Sequence, residues 1–150
     1  MAQALVCDDI ITIRTSQGEK QAYRTDIIHF PRGLFGFGRY TDFVIFDILD
    51  CPPFKSMLSV EEGGPDFVVM EPMDVFENYQ PLADAENLTK LGMDAGAEIA
   101  VLSIVTLADN PRQATVNLRG PIVIDLATNR ACQIALADER YSTREPLLRD

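Results

Sequence analysis

From Ile99 to Leu107 the chain runs nine residues without a charge, and Ile, Val and Leu dominate the run. A segment this short, apolar and β-branched fits a strand covered on both faces better than it fits a helix. It predicts a central strand, and therefore a sheet that must close or stack around it. The rest of the chain agrees, because short runs rich in Val, Ile, Phe and Thr recur between breaks made of Gly, Pro, Asp and Asn.

Taken in order, the pattern predicts a first hairpin in which residues 10–14 turn through Thr15-Ser16-Gln17-Gly18 into residues 20–24. A strand over 26–30 stops at Pro31, which lacks the amide needed to continue a ladder. A glycine-rich loop follows, Arg32-Gly33-Leu34-Phe35-Gly36-Phe37-Gly38, with Leu34, Phe35 and Phe37 as candidate core anchors. In residues 43–49, Phe43, Ile45 and Asp47 share one face and Val44, Phe46 and Ile48 the other, which predicts a strand near the centre of the sheet. Further strands are predicted over 54–60, 66–71, 114–118, 121–126 and 130–136. One short helix is predicted over 84–92, with Asp84 as its cap, Leu88 and Leu91 on its apolar stripe and Gly92 at its end. The expected fold is mainly β: an antiparallel, closed or half-closed barrel-like single domain with one or two short helices, since closure removes exposed edges. At 150 residues the chain fits one domain over 1–150, with a polar tail from about residue 138 expected to be partly mobile.

The net charge of −10 disfavours direct binding to a phosphate backbone. No apolar run reaches the ~20 residues of a membrane span, and the N-terminus has no basic and apolar leader pattern. Cys7, Cys51 and Cys132 are widely spaced and odd in number, which predicts reduced thiols in a cytoplasmic protein. A protein that is monomeric when free is expected. His29, the sole histidine, is expected to bond to backbone at a barrel rim rather than to catalyse. The glycine loop misses the dinucleotide fingerprint, there is no phosphate-loop lysine, and no calcium-loop pattern occurs, so no cofactor or metal is expected.

Charge is unevenly distributed. Residues 61–98 hold ten carboxylates against Lys90 alone, while the flanks are close to neutral. Such asymmetry bears on partners and association rates, and it favours a basic protein partner. Within it Glu61 to Pro65 reads as a plain solvated loop. Glu71, Asp74 and Glu77 recur at three-residue spacing among Met70, Met73, Val75, Phe76 and Tyr79, and Pro72 and Pro81 forbid a regular helix. Acids interleaved with Met and aromatics have interface composition. Glu71, Asp74, Phe76 and Glu77 are therefore the candidate face for a basic partner. The competing class is a small-molecule-binding or enzymatic β-barrel, which needs an enclosed polar pocket with convergent ionisable groups.

The residues 26–37, Asp-Ile-Ile-His-Phe-Pro-Arg-Gly-Leu-Phe-Gly-Phe, resemble the I-x-F-P-x-G-(L or I)-x-G-F signature of the FliW family of flagellar assembly factors. Residues 66–72, 101–107 and 117–124 are similar to that family's F-V-V-x-x-P, A-V-L-x-I-V-T and N-L-x-x-P-I-V-I-N segments, and 133–136 and 141–144 resemble its closing motifs. The likeness covers about residues 8–147, in order. Phe35, Cys132 and Glu145 depart from the proline, lysine and histidine usual at those places. The resemblance implies a non-enzymatic cytoplasmic protein that binds flagellin and also the RNA-binding translational regulator CsrA. Flagellin accumulating in the cytoplasm would capture the factor, and the released CsrA would repress flagellin translation. CsrA, as a basic partner, is expected at Glu71, Asp74, Phe76 and Glu77. Flagellin termini, as amphipathic helices, need an apolar surface, to which Phe35 and Phe37 are expected to contribute.

Overall fold

The computed structural model describes residues 9–15, 18–49, 51–81 and 98–148. Eleven strands are present among them: β1 (Ile10–Thr15), β2 (Gly18–Tyr23), β3 (Ile28–His29), β4 (Asp42–Asp47), β5 (Lys55–Ser59), β6 (Asp66–Met70), β7 (Ile99–Thr106), β8 (Thr115–Val116), β9 (Ile122–Asp125), β10 (Arg130–Gln133) and β11 (Glu145–Pro146). The helix expected over 84–92 lies outside the described residues. Three single 3₁₀ turns lie wholly within the described residues, Arg24–Asp26, Pro72–Asp74 and Pro111–Gln113.

Seven strands form a closed ring in the order β7-β6-β5-β4-β3-β10-β9, with β9 returning to β7. The expected barrel is thus fully closed. One pairing departs from the expected antiparallel pattern: β3 and β10 run parallel, with His29 opposite Arg130. Each of the seven strands sends a side chain into one core, which holds Ile28, Phe43, Met57, Val69, Leu102, Ile122, Ile124 and Ala131 together with Phe30 and Leu34. Phe30 and Phe43 meet edge-on, 5.4 Å between ring centroids, a favoured aromatic geometry.

Two further apolar layers cover the outside of the barrel, and they explain why β4 and β7 are apolar on both faces. The β1–β2 hairpin packs Ile13 and Ala22 on Val44 and Leu58, outside β4 and β5. Opposite faces of β6, β7 and β9 offer Met70, Val101, Val105 and Val123 to Val116, Leu118, Ile134, Leu136 and Tyr79. Tyr141 and Leu147 pack against this second layer. The tail is tied there by β11, which pairs Glu145 with Val116, and by the Leu147 amide donating to the Ala114 carbonyl at 3.1 Å.

β8 and β9 both run along β7, one beside each half of it. Val116 faces Val105 and Ile122 faces Leu102, so three steps along β7 correspond to six along the partner chain. The surplus forms a bulge at Asn117–Pro121. Asn117 Oδ1 accepts from the Arg119 and Gly120 amides at 3.1 and 2.9 Å and closes the bulge as an Asx turn. Gln133 reaches into it, donating from Nε2 to the Gly120 carbonyl while its Oε1 accepts from the Phe35 amide, both at 2.9 Å. The glycine loop and the bulge are therefore braced by one side chain.

Candidate partner-binding faces

β6 ends at Met70, and Pro72 then starts a 3₁₀ turn in which the Val75 and Phe76 amides both bond to the Pro72 carbonyl, at 3.1 and 2.8 Å. Pro72 is fully buried, Phe76 is half-buried against the outer apolar layer, and Tyr79 is buried within it. These three residues anchor the segment. Glu71, Met73, Asp74, Val75 and Glu77 consequently face solvent. The alternation of acids with apolar residues is thus a division between an exposed rim and a buried root, with Met73 and Val75 as exposed apolar members of the rim.

The turn separates two open clefts. Glu71 and Asp74 line one of about 470 Å³, with Asp47, Leu49, Phe54 and Lys55 on its other wall. Phe76 and Glu77 line the other, of about 540 Å³, opposite Tyr141, Arg140 and Leu147. The four residues expected to form one face therefore form two walls back to back. Arg140 at the rim of the second cleft is held by Asp138, Nη2 to Oδ2 at 2.6 Å. Those hydrogen bonds from Arg140 hold the Asp138 carboxyl below its ordinary range. Tyr79 floors this cleft, donating to the Leu118 carbonyl at 2.5 Å and meeting Tyr141 edge-on at 4.8 Å. Burial pushes the Tyr79 phenol above its ordinary value.

In the glycine loop the core plug is Leu34, 3% exposed, whereas Phe35 is 56% exposed and Phe37 39%. Phe37 rests edge-on against Phe67 at 5.4 Å. The expectation that all three would anchor the core holds for Leu34 and is corrected for Phe35 and Phe37, which stay exposed outside it, Phe37 covering Phe67 and the Phe35 amide bonding to Gln133. The loop and the Glu71–Glu77 segment are separate surface features, and their side chains do not share a cleft among those described above. His29 is also corrected: its Nδ1 lies 2.7 Å from Asp42 Oδ1, a side-chain pair on adjacent strands rather than a backbone bond.

Among the described residues no group of three His, Cys, Asp or Glu side chains is arranged to hold a metal ion, and no helix is long and apolar enough to cross a membrane. The barrel interior is filled by apolar side chains, Phe30, Phe43, Met57, Val69 and Ile122 being fully buried. Polar concavities lie outside it.

The sequence profile of the FliW protein family matches residues 12–147. The chain belongs to the FliW family. A relative in Syntrophotalea carbinolica, described as flagellar assembly factor FliW, is 35% identical over 136 residues, covering 91% of this chain and 96% of its own. Another of that description in Clostridium beijerinckii is 30% identical over 131 residues, covering 87% and 93%. A crystal structure of the flagellar assembly factor FliW superposes with a TM-score of 0.80 at 29% identity, covering 94% of this chain and 98% of that one. The closed barrel and its outer layers are accordingly the FliW fold, and the chain's own character resides in what the surface carries.

Cys132 stands on β10, and burial pushes its thiol up to about 11, with Arg32 opposing the shift. Cys51 is exposed. At pH 8 roughly a thousandth of Cys132 is then thiolate, the reactive species. Iodoacetamide should label Cys51 at least about tenfold faster than Cys132 in the native protein. Peptide mapping against time checks this, and equal rates would contradict the burial.

Proposed function

We propose that this FliW-family chain is a non-enzymatic assembly factor of the cytoplasm that binds flagellin and antagonises the RNA-binding regulator CsrA, so that flagellin secretion sets flagellin translation. The observation that carries the reading is the exposed rim of Glu71, Met73, Asp74, Val75 and Glu77, rooted by Pro72, Phe76 and Tyr79 between two clefts. An RNA-binding regulator is basic, and an acidic rim with apolar members attracts it and steers its approach. An acidic protein of net charge −10 docked beside an RNA site also repels RNA phosphates without occupying that site. Phe35 and Phe37, exposed on a braced loop elsewhere on the barrel, are the proposed apolar contribution to flagellin binding.

Co-purification of the chain with tagged flagellin and tagged CsrA tests the assignment of partners. Glu71→Lys with Asp74→Lys should weaken CsrA binding at least about tenfold, with no comparable effect on flagellin. The wild-type association should also weaken as salt rises. Unchanged CsrA affinity in the double variant, measured by calorimetry, removes these residues from the interface. Failure of both partners to co-purify removes the function itself.

A further inference from the structure

The cleft beside Glu71 and Asp74 contains residues from much earlier in the chain. Asp47, Lys55 and Val69 lie in one cross-strand row over β4, β5 and β6, and Glu71 follows Val69 by two positions, so the row's end brings Asp47 and Glu71 to one hollow. Three carboxylates, Asp47, Glu71 and Asp74, line it, and Lys55 is the one cation among the described residues lining it. Lys55 Nζ sits 2.9 Å from Asp47 Oδ1. The Asp47 side chain is nevertheless 86% exposed, and an ion pair so open to water is weak and readily exchanged. Apolar surface adjoins the charges: Phe54 lines the same hollow, and Leu49 is 88% exposed at its edge.

We infer that this cleft receives a cationic side chain presented next to an apolar one by a basic protein partner, and that Lys55 is the cleft's own competitor for Asp47. The inference rests on the proposed basic partner at the Glu71 rim and assigns it a seat. Charge complementarity selects the occupant. The hollow keeps two carboxylates more than cations, so an incoming lysine or arginine finds uncompensated charge, while Leu49 and Phe54 offer apolar contact beside it. A second copy of this chain brings the same net charge of −10 and does not complement the cleft. The consequence is a pair of opposite signs: removing the internal cation strengthens binding, and removing the carboxylate it occupies weakens binding.

Calorimetric titration with purified CsrA tests this with the full chain. Lys55→Met should tighten binding about 3- to 10-fold, and Asp47→Asn and Leu49→Ser should each loosen it about 3- to 10-fold. Arg130→Met, which removes a positive charge on β10 away from this cleft, should give a markedly smaller gain than Lys55→Met. Thermal midpoints within a few degrees of wild type establish that the variants are folded. Wild-type binding with no gain in Lys55→Met, an equal gain in Arg130→Met, or no loss in Asp47→Asn overturns the seat while leaving the partner assignment intact. Absence of wild-type binding overturns the partner assignment and the seat together.

Discussion

Replacing Gly33 with alanine should destabilise the protein by about 3 kcal/mol or more, whereas the same change at Gly36 should cost only about 1 kcal/mol. Both glycines sit at positive φ, +64° and +83°, so both substitutions carry the left-handed penalty. They differ in surroundings. A Cβ on Gly33 would come within 2.6 Å of Gly38 Cα and 2.8 Å of the Phe37 and Gly38 carbonyl oxygens, all backbone, while a Cβ on Gly36 meets nothing within 4 Å. Backbone cannot yield as a side-chain tip can, so the loop must shift and carry Leu34 out of the barrel end. Chemical denaturation of the two variants side by side gives the comparison. Similar midpoints for both would mean that the loop's close approach is not a constraint.

The second large effect concerns Tyr79. Tyr79→Ala should cost about 3–5 kcal/mol, because it empties a buried site in the outer apolar layer and strips Tyr141 of its edge-on partner. Tyr79→Phe keeps the ring and should cost about 1–3 kcal/mol, the loss of the hydrogen bond that satisfies the Leu118 carbonyl. Tyr79 and Cys132 also predict the behaviour in alkali. Both groups keep their protons in the folded state above their ordinary values because they are buried. Their contribution is fully present below the unfolded values, about 8.5 for Cys and about 10 for Tyr, and is lost as pH rises through the folded ones. Between pH 8.5 and 11 the Cys132 part alone should lower stability by about 1–2 kcal/mol, after allowance for its partial exposure. Cys132→Ala should flatten the profile in that window. Denaturation midpoints at stepped pH decide it, and a wild-type curve level to pH 11 would overturn the assignment.

The strand content was legible because burial on two faces leaves a mark in sequence. Phe43, Val44, Ile45 and Phe46 read as a doubly covered strand, and the hairpin on one side with the barrel core on the other supplies both covers. What covered β4 was not legible, since nothing local in residues 10–23 names the strand they pack against. Leu34 and Phe35 could not be told apart for a related reason. Both are apolar neighbours in one loop, and which points inward depends on the loop's turns at Gly33 and Gly36 and on the brace from Gln133, far along the chain. The candidate face was legible in its acids and in the helix-breaking Pro72. Its division into two walls depended on the burial of Pro72, Phe76 and Tyr79 and on the cross-strand row that delivers Asp47 and Lys55. Register of that kind is set by pairing across three strands.

The closure of the barrel has a bearing on how the chain is made. Strands β3 to β6 pair with neighbours in chain order and β7 extends them, so this five-strand sheet can assemble as the chain emerges. Among the described strands its two rims, β3 and β7, are joined by the β9–β10 hairpin, whose four-residue strands complete the ring late in translation. Until that hairpin is inserted, β7 exposes the backbone of Ile99 to Leu102 as an open template for foreign strands. The hairpin is thus a clasp that must find two distant edges at once, a search whose cost is kinetic.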